Sequence, residues 1–552
     1  MGNAQSIPFF DVIVIGAGWS GLTACKYCLS EGLETLVLES RESIGGVWAF
    51  TEDVRYGGVM TTTQTTSSRC ITEISDFPMP ESYPDFPSHT EILAYLRDYC
   101  ARFDLQSHIR FNRPVSNARK VDDTWHVTCA DGSEYRAKNL IVSSGVHQHR
   151  NDVSGDVRFN RFAGQIVHSA AVKEAHSDLA GKTIVIWGGG ESASDIAFEV
   201  GKIASRVYWC IPNGQWFIPK TVERWPPFAG DRPKILDQAS SRVRLLLSPT
   251  RSFAPFFNQY LQYTLGFNGH GLAAWKTNAP YHQSFLNKSY EPLSQVKSGK
   301  IVPKRDIVRC DGNDVHFTDG TSIRADVVIT CSGYRLALPF FDPSAAPSTD
   351  PQEWYKYLFG QDSSVAFVGF VRPVIGSIPG IAELQSRYAA LVFAGKRALP
   401  FAVERARIAL ADAAFWNNHF RLTSRRLRGL VDFALYNDEL ARLIGCRPRY
   451  WKLLFTAPRK WWWAVSSPWN GCQFWLNDES QHERIFGTFA RYRHNLASEV
   501  YVLLALAPIL PLIRLVSRAR LFINERFVWP RATTPGGGET TMADEMPVER
   551  TA

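Results

Sequence analysis

The sequence predicts an α/β chain built on two parallel sheets, because one strand–glycine turn–helix pattern occurs twice, about 170 residues apart. The first copy is Val12-Ile13-Val14-Ile15, then Gly16-Ala17-Gly18-Trp19-Ser20-Gly21, then Leu22-Thr23-Ala24-Cys25 as a helix start. The second is Thr183-Ile184-Val185-Ile186-Trp187, followed by Gly188-Gly189-Gly190-Glu191-Ser192-Ala193. Unbroken apolar runs of this length read as strands buried on both faces, as in a parallel sheet. The third observation is Glu39, which ends another apolar run, Thr35–Leu38, about 20 residues after the first glycine turn.

Each turn has a physical reading. A strand that turns into a helix around a pyrophosphate must bring bare backbone close to it. Gly16 permits the tight turn, Gly18 the close approach and Gly21 the helix–strand packing. The pyrophosphate sits on free N–H groups at the positive helix end. Glu39 is placed to bind ribose hydroxyls. In the second copy Gly188 and Gly190 take the first two roles, Ala193 replaces the third glycine, and Ser192 and Asp195 follow on the helix. Two such sites predict two Rossmann-like domains and hydride transfer between a nicotinamide and a flavin.

The remaining elements follow in order. Residues 9–60 are the first βαβ unit, and Gly46-Val47-Trp48 after its second strand is expected against the flavin ring, with Gly46 and Trp48 as contacts. Residues 76–88, dense in proline and aromatics, read as an extended loop, and Glu91 to Phe103 as a helix. Trp125–Thr128 and Asn139–Val142 read as strands around an Asp131-Gly132 turn, with Gly145 closing the second against the cofactor,. Residues 215–300 break the α/β rhythm with Phe253, Phe256, Phe257, Tyr260 and Tyr263, and read as an insertion. Val315–Phe317, Asp326–Thr330 and Val365–Gly369 read as strands, and Leu384–Phe393 as a helix. The expected partition is a flavin-binding domain over 1–165 and 326–450, with a nicotinamide-binding domain, 166–325, inserted in it. A C-terminal cap over 451–498, a membrane-associating segment over 499–530 and a disordered tail over 531–552 complete it.

Composition sets bounds. A chain of 552 residues at 45% hydrophobic content has material for several cores, and its net charge is +8. Arg421, Arg425, Arg426 and Arg428, then Arg514, Arg518 and Arg520, crowd the C-terminal third. They suit an anionic membrane surface or a solvated face. No nucleic-acid motif and no metal-ligating cluster is present. The ten cysteines have no framework spacing and no signal peptide precedes the first strand, so reduced thiols inside a cell are expected,. Cys25 and Cys28 lie on the first fingerprint's helix, where packing against the sheet accounts for them.

Five further segments carry a resemblance to the flavin-containing monooxygenases over roughly residues 9–515. Phe162-Ala163-Gly164-Gln165-Ile166-Val167-His168, between the two fingerprints, is similar to the family's F-x-G-x-x-x-H linker, carried by Phe162, Gly164 and His168. Ser75-Asp76-Phe77-Pro78 with Tyr83-Pro84-Asp85-Phe86 resembles its S-D-F-P and Y-P-x-F segment. Asp326 to Tyr334, including Gly333, resembles its D-x-V-I-x-A-T-G-Y. Ala382-Glu383-Leu384-Gln385-Ser386-Arg387 resembles A-E-L-Q-x-R, and Ile444-Gly445-Cys446-Arg447-Pro448 resembles I-G-C-x-P. The resemblance implies FAD reduced by NADPH, O2 adding as a C4a-hydroperoxyflavin, and transfer of its distal oxygen to a nucleophilic nitrogen or sulfur of a small molecule. Gly333 and Gln385 are then cofactor contacts. The cofactor supplies the reaction, and the protein supplies position and dryness.

Three departures qualify it. The family's asparagine near the flavin is Thr66 here, which offers one hydroxyl in place of an amide,. The arginine that meets the 2′-phosphate in many relatives is Pro212, with Arg206 or Lys220 as substitutes; NADPH is expected and NADH stays open. The bulky aromatic that ends the linker in many relatives is Val172, against a Baeyer–Villiger oxygenase acting on a ketone. A flavin disulfide reductase wants a cysteine pair beside Gly46-Val47-Trp48, and a flavin-bound membrane protein without catalysis is the alternative outside enzymes.

Val500 to Ile513 is an uncharged apolar run of 14 residues, short for a span of about 20,. It is expected as a C-terminal apolar anchor lying on a membrane or packing on the protein. Trp461-Trp462-Trp463 adds interfacial contacts, and Met1-Gly2-Asn3-Ala4-Gln5-Ser6 matches a myristoylation signal at Gly2,. The expected place is the cytosolic face of a membrane, the endoplasmic reticulum first among them.

Overall fold

The computed structural model describes residues 7–222, 234–239, 241–242, 267–279, 284, 286–420, 428–492 and the positions 512 and 515. Gly2, the aromatic run Phe253–Tyr263, most of Val500–Ile513 and the tail from 531 lie outside the described residues.

Two sheets organise the chain. The first contains β1 (Phe9–Ile15), β2 (Thr35–Leu38), β3 (Ile109–Arg110), β4 (Val115–Val121), β5 (Thr124–Cys129) and β6 (Glu134–Val142), in the order β3-β2-β1-β6-β5-β4. β3, β2, β1 and β6 run parallel, while β5 and β4 are antiparallel, so this sheet is mixed. Val12, Ile13 and Val14 are fully buried, as an unbroken apolar run in a covered strand requires,. The second sheet contains β7 (Gln165–His168), β8 (Thr183–Trp187), β9 (Arg206–Cys210), β10 (Ile301–Lys304) and β11 (Val327–Thr330), all parallel, in the order β10-β9-β8-β11-β7. β12 (Val365–Phe367) returns to the first sheet beside the end of β6.

The boundary expected at 325/326 is therefore early. β11 pairs with β8 and β7, because its continuous run Val327-Val328-Ile329 is needed between two parallel neighbours. Among the described residues the α-helices of seven residues or more are α1 (Trp19–Ser30), α2 (His89–Arg102), α3 (Glu191–Ile203), α4 (Ile378–Phe393), α5 (Ala402–Phe420), α6 (Phe433–Ile444), α7 (Tyr450–Thr456), α8 (Pro458–Ser466) and α9 (His482–Tyr492). α2 begins at a capping box in which the Ser88 hydroxyl and the Glu91 carboxylate exchange bonds with each other's backbone,. α4 starts six residues earlier than its apolar pattern suggests, because Ser377 caps it and Pro379 sits in its first turn,.

The C-terminal helices are tied to residues 70–79 by buried polar bonds. Asn470 Nδ2 donates to Cys70 O (2.6 Å) and to Glu73 Oε1 (2.8 Å), Trp475 Nε1 donates to Ser75 Oγ (2.7 Å), and Tyr492 OH donates to Glu73 Oε2 (3.0 Å). The described ends of the 215–300 insertion form a two-stranded pair, Trp216–Phe217 with Leu286–Asn287. Among the described residues no helix is long and apolar enough to cross a membrane. Trp461, Trp462 and Trp463 are half-buried rather than free, packed near Tyr450 and Phe486.

Candidate functional site

A cavity of about 510 Å³ opens where the first glycine turn meets the second sheet's side of the molecule. Its floor is built from β1 and α1. After Ile15 the chain turns at Gly16 with φ +102°, and a Cβ there would lie 2.7 Å from the Ser143 carbonyl oxygen. A Cβ on Gly21 would fall 1.8 Å from the Gly16 carbonyl oxygen, so α1 rests directly on the turn. Gly18 caps α1 without a side-chain bond, and α1 has no acidic residue in its first turn. Opposite stands Gly46, whose Cβ would come within 3.0 Å of Gly18 Cα. The result is a strip of bare backbone ending on an uncapped helix N-terminus, which is the cradle a pyrophosphate needs.

Glu39 lines the same cavity, and its carboxylate is already engaged. Ala17 N–H donates to Oε2 (2.6 Å) and Arg41 N–H to Oε1 (2.9 Å), which locks the glycine turn to the end of β2. Trp48, Thr66 and Gly145 are also on the wall. Beside Thr66, the Ser67 hydroxyl donates to Gly376 O (2.9 Å) and holds this loop against the approach to α4. Two wall residues had no sequence signal. Arg372 Nη2 lies 3.0 Å from His147 Nε2, and burial together with the Arg372 charge holds His147 down at about 3. His147 is therefore a neutral ring that accepts from the guanidinium.

Of the second fingerprint, Glu191 alone reaches the cavity wall. Gly188 turns with φ +131°, and its Cβ would lie 2.5 Å from Cys331 O. Ala193 is fully buried. Asn287 Nδ2 reaches the carbonyls of Gly189 and Gly190 (3.3 Å each) and Ser194 Oγ (2.6 Å), stapling the segment 286–289 to this turn. Glu191, the first residue of α3, lines the cavity together with Lys288. Lys288 N–H donates to Glu191 Oε1 (2.9 Å), and Ser289 Oγ lies 2.9 Å from Glu191 Oε2 and 3.1 Å from Asp195 Oδ1. Burial raises the Glu191 carboxyl. Burial and then the Glu191 charge push Asp195 up to about 7. Asn287, Lys288 and Ser289 lie in no motif, and only the topology brings them to the turn.

Gly16, Gly18, Glu39, Gly46, Trp48, Thr66 and Gly145 thus share one cavity. Gly188, Gly190, Ser192, Asp195, Gly333 and Gln385 are not on its wall. Gln385, expected as a cofactor contact, is fully buried beneath it. Its Oε1 accepts from Gly369 N (3.0 Å) and its Nε2 donates to Tyr436 OH (2.9 Å), so it fixes Gly369, which is on the wall. In the linker, a Cβ on Gly164 would lie 2.6 Å from Phe162 Cζ and 2.7 Å from Asp326 O, which seats the entry to β7 against β11. His168 Nδ1 accepts from Ala170 N (3.1 Å), so its proton is on Nε2, which donates to Gly333 O (3.3 Å). Burial lowers its pKa, and the neutral ring joins the chain's passage into the second sheet to its passage out. Of the substitutes for Pro212, Arg206 opens β9 in register with Thr183, at the end of the sheet away from Gly188. Lys220 sits 3.7 Å from the Glu291 carboxylate.

Comparison with known proteins converges on one family. The family described as "FMO-like: Flavin-binding monooxygenase-like" matches residues 10–497. A 4-hydroxybenzoate brominase (decarboxylating) from Marinomonas mediterranea is 32% identical over 461 residues, covering 80% of this chain and 85% of the relative. Flavin-containing monooxygenase 2 from Homo sapiens is 31% identical over 493 residues, covering 86% and 89%. Among solved structures, the S-allyl-L-cysteine S-oxygenase from Allium sativum superposes with a TM-score of 0.59 at 19% identity, covering 88% of this chain and all of that one, which is a likeness of fold.

Proposed function

We propose, for a chain that belongs to the flavin-binding monooxygenase-like family and is an FAD- and NADPH-dependent monooxygenase, that the oxygen acceptor is a nucleophilic nitrogen or sulfur of a small molecule. The observation that carries this reading is a cavity whose wall joins the bare-backbone cradle at Gly18 and Gly46 to Thr66 and to Glu191 of the second fingerprint. No acid–base dyad is needed to activate such a substrate, since an amine or thioether brings its own lone pair.

The cradle fits FAD. Gly16 and Gly18 would admit its pyrophosphate to the N-terminus of α1, Glu39 would turn its carboxylate to the ribose, and Trp48 and Thr66 would border the ring. Bound there, the flavin supplies O2 activation and oxygen transfer. The chain's own work is to position and to exclude water. Asn287 holds the second turn in place for NADPH, and His168 links the two crossings on which the Rossmann-like second domain, inserted in the first, would move. Thr66, on the cavity wall, would offer the ring a single hydroxyl. Val172, 4% exposed, leaves the linker without the large aromatic expected of a ketone oxygenase.

Membrane contact belongs to the same reading. α7 exposes Trp451 (66%) and Phe455 (79%) beside Lys452, and the apolar run Val500–Ile513 follows in sequence. Aromatic and basic side chains together suit the headgroup layer of a cytosolic membrane face. Flotation of the full-length protein with anionic vesicles, resistant to high salt, is the expected result; release by salt alone would refute it.

The functional test is product analysis with the purified flavoprotein, NADPH and O2. A tertiary amine, a thioether, a cyclic ketone and 4-hydroxybenzoate with bromide form the panel. N-oxide or sulfoxide with stoichiometric NADPH oxidation is expected. Lactone or brominated product alone would overturn the substrate class.

A further inference from the structure

Resting on that reading, the balance of the reaction raises a question the wall of the cavity answers. Substrate, O2, NADPH and one proton give oxygenated substrate, NADP⁺ and water. The hydride brings two electrons and one hydrogen of the water, and the second hydrogen is a proton from solvent that must enter a site built to stay dry. The titratable wall residues differ in fitness for carrying it. Glu39 is tied by two backbone N–H groups. His147 accepts from Arg372 and is held at about 3. Burial and the Arg335 charge lower His149. An N–H of the Lys288 ammonium donates to Ser67 Oγ (3.3 Å).

Glu191 is different, because it continues away from the cavity. Ser289, 3% exposed, places one hydroxyl 2.9 Å from Glu191 Oε2 and 3.1 Å from Asp195 Oδ1. A hydroxyl has one proton to donate. For both contacts to be full two-centre hydrogen bonds, one carboxyl must be protonated and donate to Ser289 Oγ,. Glu191 reaches the cavity wall, while Asp195 is half-buried on the next turn of α3 and away from that wall.

We propose that Asp195, Ser289 and Glu191 form a proton chain that brings the reaction's proton from solvent into the cavity, with Glu191 as the group that delivers it. In one transfer the Asp195 O–H breaks as a proton passes to Ser289 Oγ. The Ser289 proton passes to Glu191 Oε2, and solvent then reprotonates Asp195. The charges facing the pair are Lys288 and Lys220, which favour ionisation, and Glu291, which opposes it. Lys288 also faces the buried Asp237, whose Oδ2 accepts from Ser68 N (2.7 Å). The carboxyl that holds the proton is Asp195, raised to about 7.

The test uses the full-length, flavin-loaded enzyme. Infrared titration should show the C=O stretch of a protonated carboxyl that disappears as pH rises through about 7. That band should vanish in Asp195→Asn and shift in Ser289→Ala. Turnover should fall in wild type above the same pH. Ser289→Ala should lower turnover on the order of a hundredfold below it, the lower end of what a positioned proton donor contributes. Ser289→Thr, which keeps the hydroxyl, should restore most of it. A band unchanged in Asp195→Asn, or a Ser289→Ala turnover profile that superimposes on wild type, overturns the proposal. Should Ser289→Ala not fold, the Asp195→Asn band and pH profile decide it alone. The infrared result needs no turnover, so a failure of NADPH to bleach the flavin would sink the monooxygenase assignment separately.

Discussion

Replacing Gly21 by alanine adds one carbon at the place in the fingerprint with least room for it. The new Cβ would stand 1.8 Å from the Gly16 carbonyl oxygen, where ordinary contact begins at 3.4 Å, so about 1.6 Å of relief is needed. The obstructing atom is backbone, and that backbone is the left-handed turn at Gly16. α1 cannot lift away cheaply, because Leu22, Ala24, Cys25 and Cys28 are fully buried on it and Thr23 Oγ1 meets Ser386 Oγ of α4 at 3.1 Å. Overpacking a core by a methyl costs about 1–3 kcal/mol where neighbours can move. Here they cannot, and a loss of at least about 3 kcal/mol is expected, or a fall of about 3 °C or more in melting temperature for a chain of 552 residues,. The turn that carries the pyrophosphate cradle shifts with the helix, so flavin should be lost as well. Flavin-to-protein ratio and flavin-fluorescence melting read both effects. Gly487→Ala is the control, on the exposed face of α9 with nothing within 4 Å of the new carbon, and should gain about 1 kcal/mol from helix propensity,. A Gly21→Ala protein that keeps its full flavin and melts with wild type would refute the reasoning.

Gly18→Val should abolish flavin binding without the same loss of fold, because a Cβ there makes only ordinary contact with the Gly46 backbone, at 3.5 Å or more, and its methyls enter the pyrophosphate's space; a yellow variant with full flavin content would count against the cradle. Thr66→Asn should raise the fraction of NADPH oxidation that ends in product rather than H2O2, and an unchanged ratio would remove Thr66 from the chemistry. Glu73, 2% exposed, is raised by burial from 4.5 to about 6. A carboxyl raised in the folded state contributes stability that is full below about pH 4.5 and lost as pH rises through about 6. Glu73→Gln should therefore gain on wild type by about 2 kcal/mol between those limits, read from paired melting curves; a constant difference across the range would show that Glu73 is not so raised,.

The fold was legible where a local pattern has one structural solution. Unbroken runs such as Val12–Ile15 and Ile184–Ile186 are buried in strands, and the glycines after them turn as their spacing requires. Thr66 and Glu39, found from motif position alone, do reach one cavity. Two kinds of feature were not legible. A residue's distance from the motif hides its role when the chain folds back, and so Asn287, Lys288 and Arg372 had no signal. Motif membership also does not say which way a side chain faces. Gln385 belongs to a recognisable helix segment, yet its amide serves Gly369, Tyr357 and Tyr436 in the core. The boundary near 325 failed for a related reason: β11 looks like any buried strand, and only its partners β8 and β7 show which sheet owns it.

The two glycine turns, alike in sequence, differ in charge, and on the proposed assignment that difference suits two cofactors with different residence. α1 begins at an uncapped glycine with no acidic group in its first turn, so its positive end is fully available to a pyrophosphate,. α3 begins with Glu191 and carries Asp195 one turn on. A doubly negative pair at that end would oppose a second pyrophosphate. A pair sharing one proton opposes it less, and Glu191 is drawn aside by Lys288 N and Ser289. On that assignment the first site would hold its dinucleotide more tightly than the second. Alanine at 193 is tolerable in a site that binds less tightly, whereas Gly21 has no such latitude, because α1 must sit on the Gly16 carbonyl for the cradle to exist at all.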